Sequence, residues 1–149
     1  MRNENKFQIA GQEIAPGERW QGTLTIGGGE FALPAAVLHG EEEGKTVLIT
    51  AAVHAGEYVG VQTAVELSRE LNIEKVTGTI VIVKVVCTDE FEQRTGSVCP
   101  EDDRNLNREF PGDSKGTKMQ RLAYAIEKEL HSVADYYIDL HSGDDYEDL

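Results

Sequence analysis

The chain has 149 residues, 40% of them apolar and 28% charged, a mix that fits one soluble folded domain and excludes a disordered tract. At this length folding buries about 68–70% of the surface an unfolded chain exposes, so a real core can form. Against 14 Lys and Arg stand 27 Asp and Glu, a formal charge of -13, which repels phosphate backbones and anionic lipid and excludes nucleic acid and membrane as expected partners.

Two cysteines, Cys87 and Cys99, lack the spacing of a zinc ribbon or a disulfide framework. The N-terminus leads into no apolar signal core, and no window approaches the ~18 apolar residues of a membrane span. A cytoplasmic location is therefore expected. Acidic runs at Glu41 to Glu43 and at Asp144, Asp145, Glu147 and Asp148 read as solvated loops and a frayed end.

In chain order, Arg19 to Ile26 alternates polar and apolar residues, Gly27-Gly28-Gly29 breaks the pattern, and Phe31 to Leu38 resumes it. The period is that of half-buried strands and predicts an antiparallel hairpin over about 19–39. Pro34 marks its second strand as an edge or bulged strand, and His39 to Lys45 reads as a turn. Thr46 to Val53 is a continuous apolar run, as expected of a strand buried on both faces. From Tyr58 to Leu71 the period becomes helical, with Val61, Ala64, Val65, Ser68 and Leu71 on one face. Thr79 to Val86 is a second buried strand, opened by Gly78.

A loop of about 87–115 without usable periodicity follows, of a length that is usually functional or disordered. Thr117 to Leu130 returns to helix and Asp135 to Leu140 is a short strand. This order predicts an α/β fold in a single domain over 1–149: a three-layer sandwich with a largely parallel, mixed sheet, helices on both faces and a βαβαβ core over about 46–141. Ligands in such sheets bind beyond the carboxyl ends of the strands. His54 follows one such end, His141 another, and the long loop leaves from the third.

His54 and Glu57 in His-Ala-Gly-Glu can point the same way if they share the first turn of a helix. A bare His-x-x-Glu is a common surface spacing; its weight comes from its place after a buried strand, matched by His141. Catalytic zinc takes three ligands from His, Glu, Asp or Cys and keeps a fourth position for water, whose pKa falls toward ~7. His54, Glu57 and His141 would supply such a set for one zinc ion. The remaining histidines, His39 in a turn and His131 at a helix end, are read as surface residues. In the long loop, Asp103 to Gly112 carries two arginines and two asparagines, types that grip carboxylates and developing oxyanions.

The motifs His54-Ala-Gly-Glu57, Asn105-Leu-Asn107-Arg108-Glu-Phe-Pro-Gly112 and Asp139-Leu-His141, in this order, resemble the succinylglutamate desuccinylase and aspartoacylase family, which shares the fold of the zinc carboxypeptidases. The resemblance extends over nearly the whole chain from about Gly22. It implies that His54, Glu57 and His141 hold zinc, that Asn107 and Arg108 grip the carboxylate of a small-molecule substrate, and that an amide bond beside that carboxylate is hydrolysed. A further arginine that polarises the scissile carbonyl in relatives has only a shifted match here, Arg94.

The family's general-base glutamate lies well past the third ligand, and the resemblance assigns no residue of this chain to it. Glu147, in an acidic tail, does not resemble that base. The expectation is an N-terminal part of a zinc-dependent deacylase, with an unpaired sheet edge that favours self-association. A peptide-cleaving zinc carboxypeptidase, a non-catalytic metal-binding module and an ordinary α/β domain with structural His54, Glu57 and His141 remain as alternatives. Reconstituted with zinc, the 149-residue chain should hydrolyse N-acyl amino acids only slowly; rates typical of an intact enzyme would overturn the fragment reading.

Overall fold

Two hairpins open the fold. In the computed structural model, which describes residues 1–2 and 5–143, Phe7–Ile9 (β1) and Gln12–Ile14 (β2) pair antiparallel. Strands of three residues are too short to register as a period in the sequence. Glu18–Ile26 (β3) and Phe31–His39 (β4) form the expected second hairpin. Its turn runs through Gly27, Gly28 and Gly29 at φ 64, 67 and 104, a left-handed path that residues with a Cβ rarely take.

Glu42–Ala51 (β5), Tyr58–Glu70 (α1), Thr77–Val83 (β6), Thr88–Gln93 (α2), Lys118–Glu129 (α3) and Tyr136–Leu140 (β7) follow. The main sheet has the order β3-β4-β6-β5-β7. β4 is antiparallel to both neighbours, whereas β5 is parallel to both β6 and β7. The sheet is thus mixed, with its parallel half where the sequence placed the βαβαβ core.

Each face carries its own apolar layer. Leu33, Val37, Leu48, Val81 and Val83 pack under α3 with Leu122, Ala125 and Ile126, and Leu38, Ile49, Ala51 and Ile82 pack with Ala64, Val61 and Leu67 of α1. Successive strand residues alternate between these layers, which makes the three-layer sandwich a direct consequence of continuous apolar runs. Among the described residues, no helix is long and apolar enough to cross a membrane.

Several local expectations are corrected. Pro34 lies in an interior strand, yet it sits where the β4–β6 ladder ends at Ala35, and its carbonyl still accepts from Lys84 N at 2.8 Å. Pro34 has no N–H to return to Lys84, so the proline falls where that pairing stops rather than inside it. The predicted turn at 39–45 shrinks to Gly40 and Glu41, because β4 extends to His39 and β5 starts at Glu42 with a register shift before Thr46. Gly78 makes that irregularity fit: at φ +82, an added Cβ would lie 2.3 Å from the Lys45 carbonyl oxygen. His39 is buried, not a surface residue, with Nδ1 at 2.8 Å from Thr79 Oγ1 and Nε2 at 3.0 Å from the Asn5 carbonyl.

Arg19 fastens α1 to the sheet. Its guanidinium donates to the carbonyls of Ser68 at 2.6 Å, Arg69 at 2.8 Å and Leu71, groups with no acceptor role inside the helix end, and its charge complements the helix dipole. Arg19→Ala should lower stability by about 1.5–3 kcal/mol, the range for hydrogen bonds from a charged donor, read as a shift of the urea midpoint. Arg19→Lys should recover only part, because an ammonium cannot fork across several carbonyls. An unchanged midpoint in Arg19→Ala would refute the clamp.

Candidate metal centre

β5 ends at Ala51, and the chain leaves it through Ala52 at φ 55. That left-handed turn redirects the backbone so that Val53 stays buried while His54 faces the sheet edge. His54 and Glu57 are not on a helix, as their spacing suggested. They flank a turn closed by Glu57 N donating to the His54 carbonyl at 3.2 Å, with Glu57 as the residue before α1. The separation of three residues still works, because a single turn brings both side chains to one side.

His141 follows β7 directly, and Ala51 of β5 pairs with Leu140 of β7. The three predicted ligands therefore meet. His54 Nδ1 lies 2.8 Å from Glu57 Oε1, and His141 Nδ1 lies 2.8 Å from Glu57 Oε2. The Ser142 backbone N–H donates to the same Oε2 at 3.1 Å. The imidazoles stand 5.0 Å apart at 66°, and one ligand atom from each of the three residues falls within 4.8 Å of the others. Tetrahedral zinc with ligands at ~2.0–2.1 Å needs them roughly 3.3–3.5 Å apart, so the set fits zinc with small side-chain adjustments.

The outward nitrogens of both rings are also committed. His141 Nε2 meets Asp139 Oδ2 at 2.7 Å, and a carboxylate can only accept there. Thr50 Oγ1 donates to Asp139 Oδ1 at 2.6 Å and so must accept from Tyr137, whose hydroxyl is 2.9 Å away. Burial, partly offset by the contact with Thr50, pushes the Tyr137 phenol up to about 12, which keeps it a donor. For His141, burial alone favours the neutral ring, but the Asp139 and Glu57 carboxylates outweigh it and raise its pKa above the ordinary histidine value. His54 Nε2 meets Asn105 Oδ1 at 3.1 Å.

The loop of 87–115 is built, not loose. It contains α2, a 3-10 turn at Leu106–Arg108 and a bridge between Cys99 and Arg104. Lys118 at the start of α3 reaches buried Glu90 at 2.9 Å, Asp89 at 3.0 Å and Glu101 at 3.5 Å. Burial would lower its pKa, yet the Glu90 and Asp89 contacts raise it. Asp102 accepts from Met119 N at 2.9 Å and from Arg104 N at 3.2 Å, and Leu106 is buried in the core.

The loop's arginines are sorted by this packing. Arg104 is spent on Glu109, with contacts of 3.0 and 3.1 Å. Arg108 and Asn107 are exposed, and among the described residues the Arg108 guanidinium donates only to the Asn107 carbonyl, at 3.3 Å. Arg94 is exposed, ends α2 in a left-handed conformation at φ 56, and has no hydrogen bond or ion pair to His54, Glu57 or His141 among the described residues. Both cysteines are free and buried. Burial pushes the Cys87 thiol far up and, with the Glu90 contact, the Cys99 thiol to about 11, so neither offers a thiolate at neutral pH. Glu147 lies outside the described residues.

Sequence reasoning gave no part to Asn105 or Asp139 as supports. Asp139 was within reach, since residues two apart on a strand share a face. Asn105 offered only a local signal: Asn one position before a turn.

Residues 43–147 match the model of the succinylglutamate desuccinylase/aspartoacylase catalytic domain. The chain belongs to this family. A curated relative is the N-alpha-acetyl-L-2,4-diaminobutyric acid deacetylase of Halomonas elongata, 36% identical over 117 residues, which cover 77% of this chain and 33% of the relative. The chain thus spans about a third of that protein's length. Similar solved structures include a succinylglutamate desuccinylase from Silicibacter sp. (36% identity, TM-score 0.69, 78% of this chain and 35% of that one). Others are the product-bound ectoine utilization protein EutE from Ruegeria pomeroyi (32%, 0.72, 84% and 40%) and an aspartoacylase family protein from Mesorhizobium loti (33%, 0.74, 85% and 41%). These structures share the mixed sheet and its helices.

Within the family motif, Gly112 sits at φ +85 so close to α3 that an added Cβ would lie 2.2 Å from Tyr124 N. Gly112→Ala must push the loop off the helix. It should cost about 1–3 kcal/mol in backbone strain alone and admit protease into 96–116 under native conditions; cleavage no faster than in the unaltered protein would contradict the tight docking.

Proposed function

We propose that this chain carries the metal-ligand and substrate-gripping part of a zinc-dependent hydrolase that cleaves the amide bond of an N-acyl amino acid or a related small carboxylate. The observation that carries this reading is the convergence of His54 Nδ1, Glu57 and His141 Nδ1, with Asn105 and Asp139 facing the opposite ring nitrogens. A zinc ion in that set would supply Lewis acidity toward a carbonyl and toward water in an open position.

The protein's own share is orientation. Asp139 and Asn105 hold the two imidazoles so that their Nδ1 atoms face inward. Ser142 N–H and the turn before α1 fix the Glu57 carboxylate. Arg108, free of any carboxylate among the described residues, is the group to anchor the substrate's negative end in a forked contact, with Asn107 beside it. Arg94 is the further candidate for the reacting carbonyl, exposed at the end of α2.

A deacylase is favoured over a peptidase because the curated relative is named a deacetylase. Free, buried cysteines suit a reducing cytoplasm.

Protein purified without chelator should carry close to one equivalent of zinc by elemental analysis, and His54→Ala should lose it. Less than about half an equivalent, unaffected by His54→Ala, would instead make the trio structural. In zinc-loaded protein, Arg108→Ala should weaken binding of an N-acetyl amino acid by about tenfold or more, the worth of a charge-assisted contact, with zinc content unchanged. Unaltered binding would remove Arg108 from the site.

A further inference from the structure

The Asn105 amide oxygen receives two donors at once. The Asn107 backbone N–H approaches it at 2.9 Å and His54 Nε2 at 3.1 Å. An N–H can only donate, so the atom facing Asn107 N is the oxygen and not the amide nitrogen of Asn105. The same oxygen must then accept from His54. A carbonyl oxygen has two lone pairs and can serve both donors, so the arrangement fixes the hydrogen of a neutral His54 ring on Nε2 and leaves the Nδ1 lone pair facing Glu57. The Asn107 contact in turn closes the 3-10 turn Leu106–Arg108, for which Asn105 is the cap. Buried Leu106 holds that turn from below.

The two histidines are supported unequally. His141 leans on Asp139, a carboxylate backed by Thr50 and Tyr137 on the same sheet. His54 leans on a neutral amide oxygen that also accepts from the turn bearing Asn107 and Arg108. Loss of Asp139 would disturb a ligand and its backing within the sheet; loss of Asn105 would disturb a ligand and the turn bearing Asn107 and Arg108 together.

We propose that Asn105 is a positioning residue that couples the metal centre to the substrate-gripping turn, through one amide oxygen shared between His54 and the Asn107 backbone. The inference rests on the zinc-site reading above. With a metal bound at His54 Nδ1, the ring and its Nε2–H would be held in place, which would fix the shared oxygen and with it the turn. Coupling between binding events is reciprocal, so an anion gripped by Arg108 tightens the metal in return.

The test uses zinc alone as the probe, with the full chain, its Asn105→Ala and Asn105→Asp variants, and no activity measurement. Zinc should bind Asn105→Ala about tenfold to a hundredfold more weakly, the usual effect of losing a partner behind a ligand. Asn105→Asp, which keeps both acceptor contacts, should bind at least as tightly as the unaltered protein. Zinc should slow amide hydrogen exchange across 105–109 in the unaltered protein and in Asn105→Asp, but not in Asn105→Ala.

Spectra of the unaltered protein with 15N-labelled histidine should show His54 metallated at Nδ1 and protonated at Nε2, a readout that needs no variant to fold. The opposite tautomer, or exchange across 105–109 that zinc leaves unchanged, would overturn the coupling. So would zinc affinity in Asn105→Ala within about threefold of the unaltered protein, while the metal site itself would stand. No zinc binding by the unaltered protein would instead overturn the metal reading and the coupling with it.

Discussion

Parallel pairing of β5 with strands on both sides governs where everything else can be. Thr50 lies opposite Val83 and Ala51 opposite Leu140, so three successive strands stop at one level and release their chains toward one edge. The alignment continues past the strands: Val86 N donates to the Ala51 carbonyl and Cys87 N to the Ala52 carbonyl, each at 3.0 Å, and the Cys87 thiol donates to the Val53 carbonyl at 3.2 Å. The segment that delivers His54 is therefore bonded to the segment that begins the long loop. Both faces of β5 are covered, which specifies this register strongly, since a slip of one residue would exchange the two apolar layers.

On this frame the loop behaves as a structural element with few elements of its own. Glu90 is a buried acid, costly unless paired, and Lys118 pairs it from the first residue of α3. Asp102 receives backbone N–H groups from the start of α3 and from the loop itself. Its burial would raise its pKa, but the Met119 N–H and the other donors lower it. Charge and helix terminus thus act together to seat the turn carrying Asn107 and Arg108 against the scaffold that holds His54, Glu57 and His141.

At the centre, a carboxylate and two imidazoles face one another while each imidazole turns its other nitrogen to an acceptor. Outer partners of this kind fix both ring orientation and tautomer. Donation converges on Asp139 from two sides, from Tyr137 through Thr50 and from His141 Nε2, because the phenol stays protonated and the carboxylate can only accept. Asn105 gives His54 a comparable but uncharged support and ties it to a neighbouring turn.

By itself the sequence determined the strand and helix periods, the two-sided burial of 46–53 and 79–86, and the three ligand candidates, because these depend on local alternation and on residue chemistry. It misplaced what depends on neighbours. Pro34 read as an edge residue, but its ladder simply ends beside it; His39 read as exposed, but β1 and β6 close over it with Phe7 5.8 Å away; His54 and Glu57 read as helical, but Ala52 turns the chain first. The long loop had no period because its order comes from contacts distant in sequence, such as Lys118 to Glu90. Only the tertiary structure could decide which arginine is spent and which is free, and that Asn105 stands behind His54, since hydrogen bonds between residues 51 positions apart leave no trace in local pattern.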